Sequence, residues 1–141
     1  SQWNMEFNRG DESRDFRSAV QAELEQRTID PLWQHRVFSY LSRGFYSEQI
    51  ERFQRTFDPH QLLFIKYEDL KKAPERQLMR IFDHIGASPE AYRFAPTELN
   101  AGSYSTDLDT DIRRRLQALF KEDIQKVERL LDWDLEEWKV A

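Results

Sequence analysis

The sequence predicts an α/β fold in which helices dominate and one or two parallel strands form the centre. The main observation is a strand–loop–helix pattern between Gln61 and Gly86. Four apolar residues, Leu62 to Ile65, follow a turn signal and precede polar residues, which is typical of a strand buried on both faces. Amphipathic helices are predicted on both sides of this strand, and this alternation favours the α/β class.

The composition of the chain limits the classes of protein to which it can belong. The 141 residues carry a net charge of −5 and a mean hydropathy of −0.84, and they include no cysteine. This length predicts one domain or one part of a larger domain. The missing thiols exclude disulfides and cysteine-based zinc sites, and they favour a reducing, cytoplasmic location. The acidic balance argues against a nucleic-acid partner, and no apolar run is long enough to span a bilayer.

Two helices are predicted before residue 31. Trp3 and Phe7 have helical spacing without a preceding N-cap, so the first helix reads as one entered partway along. The apolar side of the second helix comprises Phe16, Val20 and Leu24. Asp11 or Ser13 is expected to cap this second helix, which should end within residues 26–30.

The segment from Pro31 to Gly44 is rich in aromatic residues and less regular. It forms either a short core helix or a loop that lines a cleft. His35 is a candidate general base, although a lone histidine without a visible carboxylate partner is more often structural. Arg43 can reach an anion or form a surface ion pair. The three histidines lack ligand spacing, so no metal site is expected.

A helix, a turn and the central strand follow. The apolar positions of this helix are Tyr46, Ile50, Phe53 and Phe57. Residues Tyr67 to Leu70 fall at the carboxyl end of the strand, where open α/β sheets hold ligands. They can hold a nucleotide, or they can cap the loop and pack at the sheet edge. The next helix is predicted to start at Pro74 and to stop at Gly86, residue types that favour those positions.

The last third of the chain reads as a polar loop followed by the longest helix. The small residues of 97–109 could hold a phosphate through backbone N–H groups, or they form a plain surface loop. Asp109 or Thr110 is expected to begin a helix with one apolar stripe. The stripe comprises Ile112, Leu116, Leu119, Phe120, Ile124, Val127, Leu130 and Leu131. Trp133 and Trp138 are expected to hold the tail against the body.

The order of these segments resembles the C-terminal half of the sulfotransferase family that uses 3′-phosphoadenosine 5′-phosphosulfate, in its bacterial and heparan sulfate-type branch. Four segments carry the resemblance: YLSRGFYSEQIERF at 40–53, QLLFIKYEDL at 61–70 with the following Pro74 and Ile85-Gly86, NAGSY at 100–104, and LLDWDLEEW at 130–138. Ser1-Gln2-Trp3 also resembles the end of the family's site for the cofactor 3′-phosphate.

The resemblance implies a P-loop-like, three-layer α/β fold, with residues 1–141 as the C-terminal portion of a single domain. It implies transfer of a sulfuryl group from that donor to a hydroxyl or amine of a small-molecule or carbohydrate acceptor, without a metal. The family's early phosphosulfate-binding motif is not in this sequence. These 141 residues alone are therefore expected to be inactive.

The same resemblance assigns candidate site residues. The cofactor-binding set comprises Ser1, Tyr67, Gly102, Ser103 and Tyr104, and the acceptor set comprises Tyr40, Arg43 and Tyr46. Ser1 would donate to the 3′-phosphate, and Tyr67 would lie against the adenine. No residue matches the family's catalytic base. The alternative hypothesis is a non-catalytic helical protein-interaction module, in which the aromatic segment from Trp33 to Tyr46 binds a partner protein.

Overall fold

The computed structural model describes residues 2–25, 37–89 and 109–140. Seven α-helices lie in these ranges: α1 (Gln2–Arg9), α2 (Phe16–Leu24), α3 (Tyr46–Thr56), α4 (Tyr67–Lys72), α5 (Pro74–Ile85), α6 (Thr110–Leu131) and α7 (Glu136–Val140). Two short 3-10 turns, Ser42–Gly44 and Pro59–Gln61, precede α3 and α4. None of the helices in the described ranges is long and apolar enough to cross a lipid bilayer.

The chain divides into two compact units. The first unit consists of residues 1–52 and 104–141, and the second consists of residues 53–103. In the first unit, Val20 of α2, Leu41 and Ile112 of α6 form a buried cluster. The partly buried side chains packed against it are Phe16, Leu24, Leu116, Leu119 and Phe120. The predicted apolar faces of α2 and α6 therefore meet in one core, because each helix buries the stripe that its sequence carries.

The expected cap of α2 was wrong. Asp15, and neither Asp11 nor Ser13, is the N-cap, and its carboxylate accepts from the backbone N–H of Ser18 at 2.8 Å. The reason lies in the preceding turn, where the N–H groups of residues 11 and 12 donate to the carbonyl oxygen of Glu6 and close α1. The second helix also ends earlier than predicted, at Leu24.

The boundaries of the later helices confirm the sequence prediction. Pro74 begins α5, and Gly86 follows its last residue with φ of 67°, a left-handed conformation that glycine adopts without steric cost. Asp109 caps α6 by accepting from the N–H groups of residues 111 and 112. Near the C-terminus Leu135 is fully buried, and the Trp138 ring lies 5.9 Å from that of Tyr46, so Trp138 contacts the body as expected.

The central strand differs from the prediction. The backbone is extended at Leu62, with φ −112° and ψ 126°, and at Lys66, with φ −75° and ψ 131°. No strand pairs with this segment in the described part of the chain, and its side chains are half-buried instead of buried on both faces. Burial on both faces requires neighbouring strands and a layer on each side, and the described residues of the second unit contain no paired strand.

Candidate functional site

The predicted acceptor residues Tyr40, Arg43 and Tyr46 lie in one short segment of the first unit. The Tyr40–Ser47 segment contains the 3-10 turn and the first residues of α3. Segments of this kind expose backbone N–H groups that no helix satisfies. Two buried carboxylates, one from α2 and one from α6, accept hydrogen bonds from these groups.

Glu23 of α2 holds the start of the segment. Its carboxylate accepts from the backbone N–H groups of Tyr40 at 2.7 Å, Leu41 at 2.9 Å and Ser42 at 3.0 Å. The side chain is buried, so these three donors replace the water that a charged group loses on burial. The position of Tyr40 and Ser42 is therefore tied to α2.

Asp123 of α6 holds the end of the segment. It accepts from the N–H of Tyr46 at 2.9 Å, from the N–H of Ser47 at 3.2 Å and from the hydroxyl of Ser47 at 2.5 Å. These are the first N–H groups of α3, so Asp123 acts as an N-cap supplied by a distant helix. Tyr46 itself remains 48% exposed.

The Tyr40 hydroxyl belongs to a third carboxylate site. It donates to Glu12 at 2.7 Å, and Glu12 also accepts from Nε and Nη2 of Arg14 at 2.9 and 2.7 Å. The Arg14 guanidinium is the main cause that lowers the pKa of Glu12 to about 2. Burial, and then the hydrogen bond to Glu12, raises the pKa of Tyr40. Tyr40 therefore keeps its proton and is oriented by Glu12, which makes it a poor base.

Arg43 is half-buried beside α1. Its Nη1 donates to Oε1 of Gln2 at 3.5 Å, a long hydrogen bond, and Nε2 of Gln2 donates to Oε1 of Glu6 at 2.6 Å. Gly44 follows, where an added Cβ would lie 2.8 Å from two ring carbons of Phe120. Any larger residue at position 44 would therefore force the Phe120 ring to shift.

Tyr67 is the predicted cofactor residue that the structure describes. It is the first residue of α4 in the second unit, and 64% of its surface is exposed. The Nζ of Lys71 lies 5.9 Å from its ring centroid. The ring thus offers an aromatic surface on which a planar base could stack.

The remaining predicted residues lie outside the described ranges. These are Ser1, Gly102, Ser103 and Tyr104, together with the candidate base His35. The structure brings Tyr40, Arg43 and Tyr46 together in the first unit, and Tyr67 belongs to the second unit. In residues 2–25, 37–89 and 109–140, no group of three or more acidic, histidine or cysteine side chains could hold a metal ion.

Sequence reasoning missed the buried carboxylates that fix the segment. A signal was present, because Glu23 lies three residues after Val20 on the apolar side of α2. Asp123 likewise interrupts the stripe of α6, three residues after Phe120. An acidic residue at an apolar position of an amphipathic helix indicates a buried carboxylate that needs hydrogen-bond donors from another element.

Residues 14–101 match the family model described as "Sulfotransferase domain". This match covers more than half of the chain, so the chain belongs to the sulfotransferase family. The chain therefore belongs to a class of transferases that transfer sulfuryl groups. A search of curated proteins found no significant match, and neither did a search of solved structures.

Proposed function

We propose that this chain is the C-terminal half of a sulfotransferase domain of the bacterial and heparan sulfate-type branch. The domain transfers the sulfuryl group of 3′-phosphoadenosine 5′-phosphosulfate to a hydroxyl or amine of a small molecule or carbohydrate. The observation that carries the proposal is the family match over residues 14–101, which includes both the Tyr40–Ser47 segment and Tyr67.

The first unit supplies part of the acceptor cleft in this proposal. Tyr40, Arg43 and Tyr46 lie on a backbone that Glu23 and Asp123 hold at both ends. Such pre-organisation supports catalysis, because a displacement reaction depends on the orientation of its reactants. Arg43 adds a positive charge that can face the spread negative charge of a transferring sulfuryl group.

The second unit holds the adenine of the donor in this proposal. Tyr67 directly follows Lys66, whose backbone is extended. In the proposed complete sheet it would lie at the carboxyl end of a strand, where ligands gather in open α/β sheets. Its exposed ring supports stacking with a base. Ser1 remains the residue proposed for the 3′-phosphate, and Gly102, Ser103 and Tyr104 remain those proposed for the late cofactor loop.

The reaction itself is an in-line displacement at sulfur, in which positioning and electrostatic stabilisation do most of the catalysis. In this family the 5′-phosphosulfate is bound by a motif that this sequence does not contain. The 141 residues by themselves should therefore show no turnover. The fold of the complete domain would be the three-layer α/β arrangement, with residues 62–66 as one of its strands.

A thermal melt with 3′-phosphoadenosine 5′-phosphate tests the proposed function on the intact natural polypeptide. A ligand that binds only the folded state must raise the unfolding midpoint by mass action. A midpoint that stays constant up to millimolar nucleotide would favour the helical interaction module.

Replacing Tyr67 by alanine tests the adenine position. We expect Tyr67→Ala to weaken binding of 3′-phosphoadenosine 5′-phosphate at least about fivefold, since base–aromatic stacking contributes about 1–3 kcal/mol. The matched control is Ile85→Ala, because Ile85 is 63% exposed in the same unit. Isothermal titration calorimetry on the intact polypeptide measures both affinities. Equal affinity of wild type and Tyr67→Ala would remove Tyr67 from the site.

A further inference from the structure

The C-terminal helix α7 reaches the proposed acceptor segment through one aromatic side chain. The ring of Trp138 lies 5.9 Å from that of Tyr46, and the two ring planes are tilted by 52°. Aromatic pairs at such a separation attract each other beyond the effect of the area that they bury. Tyr46 nevertheless keeps 48% of its surface exposed, whereas Trp138 is half-buried. One part of the Tyr46 ring therefore contacts α7, and another part stays open to a ligand.

Polar contacts attach α7 and the turn before it to α6. Nζ of Lys139 lies 2.8 Å from Oε1 of Glu128, and these two side chains are only 27% and 21% exposed. The same oxygen of Glu128 accepts from the N–H of Leu135 at 3.2 Å, and Leu135 is fully buried. The hydrogen bond to Glu128 is also the main cause that raises the pKa of Lys139. Glu128 therefore holds both the residue before α7 and a residue near its end.

The short helix depends on this attachment. A helix of five residues is far below the length at which an isolated helix is stable in water. The same helix α6 also fixes Tyr46 directly, because Asp123 accepts from the N–H of Tyr46 at 2.9 Å. Thus α6 sets the backbone of Tyr46 through Asp123, and it sets the surroundings of the Tyr46 ring through Glu128 and α7.

We propose that α7 is a latch on the acceptor face: its docking on Glu128 places Trp138 against Tyr46 and so fixes the orientation of the Tyr46 ring. Trp138 is then a positioning residue, because it acts on an acceptor through Tyr46. When α7 detaches, the Tyr46 side chain regains rotamer freedom, and an acceptor that contacts it must order it again. The role of Tyr46 toward an acceptor rests on the proposed sulfotransferase function, whereas the latch is a property of the fold.

Fluorine NMR of the intact polypeptide labelled with 3-fluorotyrosine tests the latch. The resonance of Tyr46 is the one that disappears in Tyr46→Phe. Trp138→Ala should move this resonance toward its position in the unfolded chain, because the ring current of the indole is lost. Trp138→Phe keeps an aromatic ring and should move the resonance less. A Tyr46 resonance that stays in place in Trp138→Ala overturns the proposal.

A second comparison separates the docking of α7 from the local ring contact. Glu128→Ala removes the docking carboxylate of α6, and we expect it to move the Tyr46 resonance in the same direction as Trp138→Ala. The matched control is Glu136→Ala, because Glu136 also lies 2.7 Å from Nζ of Lys139 but belongs to α7 itself. Lys139→Met removes the same ion pair from the other side, keeps most of the aliphatic chain and should repeat the shift. No shift in Glu128→Ala and Lys139→Met, or an equal shift in Glu136→Ala, overturns the proposal.

Binding of 3′-phosphoadenosine 5′-phosphate to the same proteins separates the latch from the proposed function. We expect Trp138→Ala to keep the wild-type affinity in isothermal titration calorimetry, because the nucleotide is assigned to Tyr67 of the second unit and Trp138 belongs to the first. Loss of nucleotide binding in Trp138→Ala would place α7 at the donor and overturn its assignment to the acceptor face. A wild type that binds no nucleotide, with the fluorine shifts as expected, supports the latch and contradicts the sulfotransferase function.

Discussion

Glu12 gathers five hydrogen-bond donors on one buried carboxylate. Two are backbone N–H groups of Ser13 and Arg14, two belong to the Arg14 guanidinium, and one is the Tyr40 hydroxyl. The guanidinium also lies 5.0 Å from the ring centroid of Phe38. Paired hydrogen bonds between a guanidinium and a carboxylate are stronger than hydrogen bonds between neutral groups. Glu12 therefore joins the turn before α2 to the start of the Tyr40–Ser47 segment.

The stability that Glu12 contributes should depend on pH. Its pKa is about 2 in the folded chain against an ordinary value of 4.5, so the ionised form stabilises the fold above pH 4.5. This contribution is lost as the pH falls from 4.5 through about 2. At neutral pH, Glu12→Gln should lower the free energy of unfolding by up to about 3 kcal/mol. The loss is smaller to the extent that water screens the Glu12–Arg14 pair.

Urea unfolding from neutral pH down to about pH 2 measures this difference. Asp11→Asn is the control, because it removes the same charge from an exposed position in the same turn. A difference between wild type and Glu12→Gln that stays constant over this pH range would contradict the prediction.

At the scale of elements, α3 depends on a residue of another helix. Asp123 of α6 satisfies the N–H groups of Tyr46 and Ser47 at the start of α3. Helices often carry such a cap in their own sequence, but here the cap lies 76 or more residues away. The start of α3 can therefore form fully only when α6 is packed against it.

Asp123→Asn should test this dependence. The amide keeps one accepting oxygen but turns an NH₂ group toward backbone donors, so we expect a loss of about 1–3 kcal/mol in the free energy of unfolding. Hydrogen exchange of the Tyr46 and Ser47 N–H groups should accelerate more than exchange at the buried Val127 of α6. Glu122→Gln, exposed on the same helix, is the control. Unchanged exchange at Tyr46 would show that the cap is dispensable.

The helices that could be predicted are those with local signals. The stripe of α6 and the Pro74 and Gly86 boundaries of α5 follow from spacing and backbone preferences within a few residues. The cap of α2 was missed because Asp11, Ser13 and Asp15 are all good caps, and contacts of Glu6 and Glu12 decide among them. Buried carboxylates were missed because charged residues are ordinarily solvated, so only their tertiary partners reveal them.

At the scale of the whole molecule, the family match runs through parts of both units. The fold class could be predicted only as far as local patterns reach: the backbone is extended at Leu62 and Lys66 as expected, but pairing depends on strands distant in sequence. The site followed the same rule. Tyr40, Arg43 and Tyr46 are close in sequence, so their common segment can be read from the sequence, whereas the hydrogen bonds to Glu23 of α2 and Asp123 of α6 that hold it are not encoded locally.

Our proposal that the chain is half of a domain makes a prediction about residues 62–66. In the 141-residue chain by itself, the N–H groups of residues 63–65 have no neighbouring strand among the described residues and should exchange rapidly with solvent. In the intact polypeptide, strand pairing should slow their exchange by about 100-fold or more, which corresponds to about 3 kcal/mol of protection. Mass spectrometry of peptides that span residues 62–66 compares exchange in the 141-residue chain with exchange in the intact polypeptide. Peptides around the buried Ile124 and Val127 serve as the internal reference. Equal exchange of residues 62–66 in both proteins would mean that this segment is not a sheet strand, and the three-layer arrangement would have to be abandoned.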